Sequence, residues 1–266
     1  MCGACSGGKI GVRRVAAEGH SSIDALGQFT LEPALGAIGR SVNFTQANTM
    51  MVVASGLVLA LLVVGMRPRA MVPGRLQAAA ELAYEFVLGM CNDQIGHGGK
   101  KFFPVVFCLF FFILFGNVLG LFPYFFTFTS HIAVTLAMST FVFCLVTFVA
   151  LKEHGLHFFS YFLPKGIPMA MAPLVILIEI ISYLSRIISL SVRLFANMMA
   201  GHIILEVFAS FVVMLGLAGG IFLIPAGLSL VTNVALFGLE LLVATLQAYV
   251  FAILTCIYLH DAVHLH

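Results

Sequence analysis

The chain reads as an all-α integral membrane protein, upright transmembrane helices followed by a long, strongly tilted helical hairpin, and three observations carry that reading. Of its 266 residues 61% are hydrophobic and only 9% charged, against roughly 25% charged in soluble domains. The mean hydropathy is +1.10. The last hundred residues hold two apolar runs, each too long for one upright crossing. A net charge of +2 gives no ground for a nucleic-acid partner, and none is expected.

The segment 1–46 is polar enough to lie outside a bilayer and lacks the basic end, short apolar run and small-residue cleavage site of a secretory signal. Lys9, Arg13 and Arg14 hint at a transit peptide, which the short, glycine-rich context argues against. Cys2 and Cys5 form a single C-x-x-C without the second half of a zinc site. Cys91, Cys108, Cys144 and Cys256 lie in or beside apolar segments and read as small core residues.

A first span follows at 47–66, an unbroken apolar run long enough for a hydrocarbon core of roughly 30 Å. Residues 73–95 open on Pro73 and repeat Leu76, Ala80, Ala83, Phe86, Val87 and Met90 at helical spacing, which predicts an amphipathic helix on the membrane surface. The stretch 102–151 reads as a hairpin of two spans, Phe102 to Tyr124 and His131 to Leu151, joined by the uncharged FFTFTS. Basic residues gather in Arg67 to Lys101 and in Lys152 to Lys165, which puts both on the side of synthesis and the amino terminus on the other.

After Pro164, Pro168 and Pro173, the segment 168–260 reads as a long tilted helix pair in one membrane domain. Its halves run from Leu174 to Leu223 and from Ala226 to Leu259, with Gly219, Gly220 and Pro225 marking the turn. A helix rises about 1.5 Å per residue, so each half must tilt, bend or lie partly in the membrane plane.

Ionisable groups inside a bilayer cost at least about 2.5 to 3.5 kcal/mol each, so their placement is informative. Glu179, Arg186 and Arg193 are seven residues apart and form one stripe, with Asn197 near it. His202 lies about half a turn away from Arg193, with Glu206 at i+4. Asn233, Glu240 and Gln247 also repeat every seven residues, a stripe suited to face the first helix. Bland readings stand beside these: Arg186 bridged to Glu179, and His202 bonded to Glu206. Arg193 has no acid at i±3 or i±4, which points to a partner on another subunit.

At these residues the chain resembles subunit a of the F-type ATP synthases. ISLSVRLFANMMAGH, with LIEIISYLSR before it and LELLVATLQAYVFAILTCIYL after it, carries the resemblance; FFFILFGNVLGLFPY and IDALGQFTLEPAL extend it from Ile23 to Leu259. The resemblance implies a stator that conducts protons past a ring of c subunits, with Arg193 facing the ring and favouring the ionised form of each arriving carboxyl. It implies that Gln247 and Asn197 orient that guanidinium or water. His202 and Glu240 become a proton relay across the hairpin, with acid and histidine exchanged relative to familiar bacterial forms, as in mitochondrial ones, which favours the mitochondrial inner membrane. Glu179 falls on the opposite access path. Asn117 and Asn233 match less specific polar positions, and Arg186 and Glu206 stand as supporting polar residues.

The implied partners are the c-subunit ring, other stator and peripheral-stalk subunits, lipids and protons, with no cofactor, no metal and no catalytic residue. No G-x-x-x-x-G-K-[ST] phosphate loop occurs in the sequence. A haem protein of the cytochrome b kind requires histidines paired along helices, which His131 and His202 do not supply. A secondary transporter should show two related halves, and these halves differ. A structural organiser of synthase complexes remains the third alternative.

Overall fold

The computed structural model describes residues 46–66, 74–96, 99–122, 127–155 and 172–263. Among them the regular structure is helical: α1 (Gln46–Met66), α2 (Arg75–Ile95), α3 (Gly99–Gly120), α4 (Ile132–His154), α5 (Ala172–Ala218) and α6 (Leu223–Val263). Single 3-10 turns occupy Phe128–Ser130 and Gly220–Phe222. Five helices are long and apolar enough to cross a membrane, and α2 is not among them. Cys2, Cys5, IDALGQFTLEPAL, Arg67, Arg69, Pro73, Pro123 and the Pro164 to Pro168 joint lie outside the described residues.

Helix α6 is the hub, touching α2, α3, α4 and α5. The reason is in its sequence: Ala244, Ala248, Ala252 and Cys256, four residues apart, form a fully buried file of small side chains. Small residues let neighbouring backbones approach closely, which is how membrane helices associate when lipid removes the hydrophobic drive. Phe251 and Leu259 flank the file and pack with Val106, Phe107, Phe110 and Phe111 of α3, Val142 and Val146 of α4, and Leu190 and Leu194 of α5. On α3 the rings of Phe103, Phe107, Phe111 and Phe115 stack one turn apart, their centroids 5.5, 4.6 and 5.7 Å from one to the next.

The amphipathic reading of α2 holds at Val87 and Met90, which are buried together with Cys91 and Ile95. Phe86 departs from it: the ring is half exposed at the rim, 5.8 Å from Phe110 and 6.0 Å from Tyr249. Neighbouring residues point about 100° apart around a helix, which carries Phe86 to the rim while Val87 enters the core. The cysteines divide likewise. Cys91 and Cys256 are buried with their sulfurs 3.8 Å apart, whereas Cys108 and Cys144 are exposed on the outer faces of α3 and α4, contrary to the core placement expected of all four.

The hairpin turn falls where two glycines permit it. Gly219 and Gly220 have φ of 66° and 59°, a left-handed region that costs a residue with a Cβ roughly 1–2 kcal/mol. Helix α5 has 47 residues and α6 has 41. The predicted long pair is therefore present, with boundaries that differ by a few residues.

Candidate functional site

The polar residues of the hairpin collect at three levels along the α5–α6 seam. At the first, His202 Nε2 lies 2.9 Å from Thr127 Oγ1 and 3.9 Å from Glu240 Oε1. The Thr127 hydroxyl donates its one proton to the Gly120 carbonyl at 3.1 Å. Toward His202 it can therefore only accept, which assigns the ring proton to Nε2. That N–H also leans toward Glu240.

Glu240 is 4% exposed, and neither carboxylate oxygen has a hydrogen-bond partner among the described residues. The buried Oδ1 of Asn117 and Oγ1 of Thr129 share that condition, while Asn117 Nδ2 donates to the Ala244 carbonyl at 3.3 Å. Buried polar atoms in folded proteins are met by protein groups or by water, so this convergence of α3, the 127–130 turn, α5 and α6 is a place suited to water. Two glycines shape it. A Cβ on Gly201 would stand 2.7 Å from Glu240 Cδ, and one on Gly120 would overlap Thr127.

At the second level Asn197 Nδ2 donates to Gln247 Oε1 at 2.8 Å, and the buried Nε2 of Gln247 has no partner among the described residues. Arg193 is one turn away on the same helix and points outward. Its side chain is exposed, and among the described residues it makes no hydrogen bond or ion pair. The next residue, Leu194, is completely buried. Two opposed polar faces, expected from the spacing of Arg193 and His202, are thus present: one turned out, one turned in.

At the third level Arg186 pairs with Asp261 at 3.7 Å and lies over the rings of Tyr258 and Tyr183, at 5.0 and 5.7 Å. Tyr183 is in turn 2.8 Å from Thr147 Oγ1. The bridge from Arg186 to Glu179 does not form; Glu179 is half-buried and has no ion pair among the described residues. Asn233 is half-buried on α6 with its Oδ1 unmatched in the protein, and Glu206 is half-buried on α5.

Three residues at the first level escaped the sequence reading. Thr127 sat in a loop with no charge, and Gly120 and Gly201 carry no chemistry. The available signal was the pair Gly116 and Gly120, one turn apart just before a run of threonine and serine, which makes a slot for the turn to enter. A groove of about 760 Å³ between α1, α3 and α4 is lined by apolar groups and by Ser55 and Cys108 and contains none of these polar residues. No group of three or more metal-binding side chains occurs among the described residues.

Comparison with known proteins gives one consistent family. The sequence profile described as ATP synthase A chain matches residues 48–260. A protein of Granulibacter bethesdensis named ATP synthase subunit a is 63% identical over 92% of this chain and 98% of its own length. Its namesake in Gluconacetobacter diazotrophicus is 60% identical over 91% and 98%, and that of Rhodospirillum rubrum 49% identical over 93% and 100%.

Proposed function

The chain belongs to the ATP synthase A chain family, and from that premise we propose how its residues carry protons. It is the membrane stator of an F-type ATP synthase. A proton reaches Glu240 and His202 through the hydrated space beside Thr127 and Asn117, moves past the Asn197–Gln247 bridge, and is taken by a carboxylate of the adjoining c ring. Arg193 faces that ring. As a protonated carboxyl approaches, the guanidinium stabilises its ionised form, so the proton leaves toward the side of Glu179. Because Arg stays charged at any attainable pH, it also repels protons from a direct crossing. The chain makes and breaks no covalent bond of ATP.

One observation carries this reading. Arg193 is exposed on an apolar helix of span length and has no counter-charge among the described residues. Such a placement is too costly to persist against lipid alone, so an acidic surface outside the chain must meet it. The ring, the other stator subunits and lipid are the proposed surroundings.

The exchanged positions of histidine and acid suggested a mitochondrial origin. The relatives named above are bacterial, so the exchange does not carry that inference, and the proposed location is a bacterial plasma membrane. The test is ATP-driven and passive proton flux in vesicles bearing the assembled complex, native against Arg193→Ala. Lost pumping with persistent passive flux is expected. Coupled pumping at the native rate would overturn the role given to Arg193.

A further inference from the structure

Between the second and third levels the seam changes character. The Asn197–Gln247 and Arg186–Asp261 contacts, 2.8 and 3.7 Å long, set an antiparallel register that puts Leu194 level with Phe251 and Leu190 level with Thr255. Asn197 and Arg186 are eleven positions apart on α5, about 16 Å of helix. The core side of this interval holds Leu190, Leu194, Ala248, Phe251 and Ala252, none more than 3% exposed and all in one continuous apolar core.

Four buried hydroxyls stand at this depth among the described residues, and each has its proton committed. Thr135 donates to the Ile132 carbonyl at 3.1 Å, so Ser191, whose Oγ lies 3.1 Å from Thr135 Oγ1, donates to that hydroxyl. Ser139 donates to the Leu136 carbonyl at 3.0 Å and Thr255 to the Phe251 carbonyl at 2.9 Å. A space of about 10 Å³, the size of a single water, reaches up to Ser139 and is bounded by Tyr183, Arg186 and Tyr258. It stops at Leu190.

Protons travel along water and hydrogen-bonded groups, and apolar-lined interiors of this kind stay dry. We propose that Leu190, Leu194, Ala248, Phe251 and Ala252 form a proton seal inside the chain itself, separate from the electrostatic barrier at Arg193. The proposal rests on the reading of the chain as a proton-conducting stator. It adds that a path reaching Gln247 has no inward continuation, so the proton must leave by the outer face of α5, where Arg193 stands.

The test separates a breach of this seal from conduction by the ring. Vesicles bearing the assembled complex are given a potassium diffusion potential, and proton influx is followed before and after a carbodiimide has modified the ring carboxyls. Native complex should conduct before treatment and be tight after it. Phe251→Ser and Leu194→Ser place a hydroxyl and space for water in the layer; both should leave an influx several-fold above native that the carbodiimide does not remove. Leu194→Ile should stay tight. Co-purification of the ring identifies variants that assemble, and Leu194→Ser, the smaller change in volume, decides if Phe251→Ser does not. Assembled variants as tight as native after treatment overturn the seal alone. Native complex with no carbodiimide-sensitive flux overturns the stator reading beneath it.

Discussion

Helices α3 and α5 are equally plausible spans by composition, yet half of the α3 window is buried within the chain and only 6% of the α5 window is. Their surroundings differ accordingly. Helix α3 lies between α2, α6 and the 127–130 turn, and its phenylalanines pack on one another. Helix α5 presents Ile188, Val192, Arg193 and Ile204 to the outside. In a membrane an uncovered apolar face is ordinary, because lipid meets it; an uncovered arginine within that face is not. The contrast teaches that the working surface proposed for this chain is marked by an unmatched charge on an exposed helix rather than by a pocket; the apolar groove between α1, α3 and α4 lies elsewhere.

The contrast can be broken most sharply at Arg193 itself. Arg193→Lys keeps the charge and replaces the planar fork with a point charge; ATP-driven pumping should fall by about a thousandfold. Native pumping by this variant would mean that charge alone suffices. Glu240→Gln preserves shape on the inner face and removes the exchangeable proton, and flux through the assembled complex should drop by roughly a hundredfold if the relay acts as an acid and base. A smaller effect is expected from Gly201→Ala, whose added methyl collides with the Glu240 carboxyl. Overpacking of this sort costs about 1–3 kcal/mol, so the thermal midpoint of the complex should fall and pumping should slow without stopping. Gly216→Ala on the same helix meets nothing within 4 Å and should be silent, and equal effects at both glycines would refute close packing as the cause. Last comes Lys101→Ala, which breaks an exposed 2.9 Å pair with Glu153. Exposed pairs contribute little, and coupled pumping should not change measurably.

Periodicity made the helices legible. Arg193 and His202 were assigned to opposite faces by counting alone, and Glu240 and Gln247 to one stripe, because a helix converts spacing into direction without help from its neighbours. What spacing cannot convey is which helix answers a given side chain. Arg186 therefore read as the partner of Glu179 on its own helix, whereas it closes on Asp261 from the far end of α6. Thr127 was illegible for the same reason: its role comes from a carbonyl on α3 and a histidine on α5, both remote in sequence. Phe86 failed differently: neighbouring residues point about 100° apart, and the sequence does not say where the edge of the buried stripe falls.

The length of α5 has an electrical consequence. Its 47 residues extend about 70 Å, more than twice the roughly 30 Å of a hydrocarbon core, so much of its course runs along the membrane. A transmembrane voltage falls across the thickness and not along the plane, at about 2.3 kcal/mol per charge for each 100 mV. Displacement along the helix's in-plane component therefore does no electrical work. The voltage acts only on the part of a proton's path that runs across the thickness, and any sideways part is left to diffusion of whatever carries the proton.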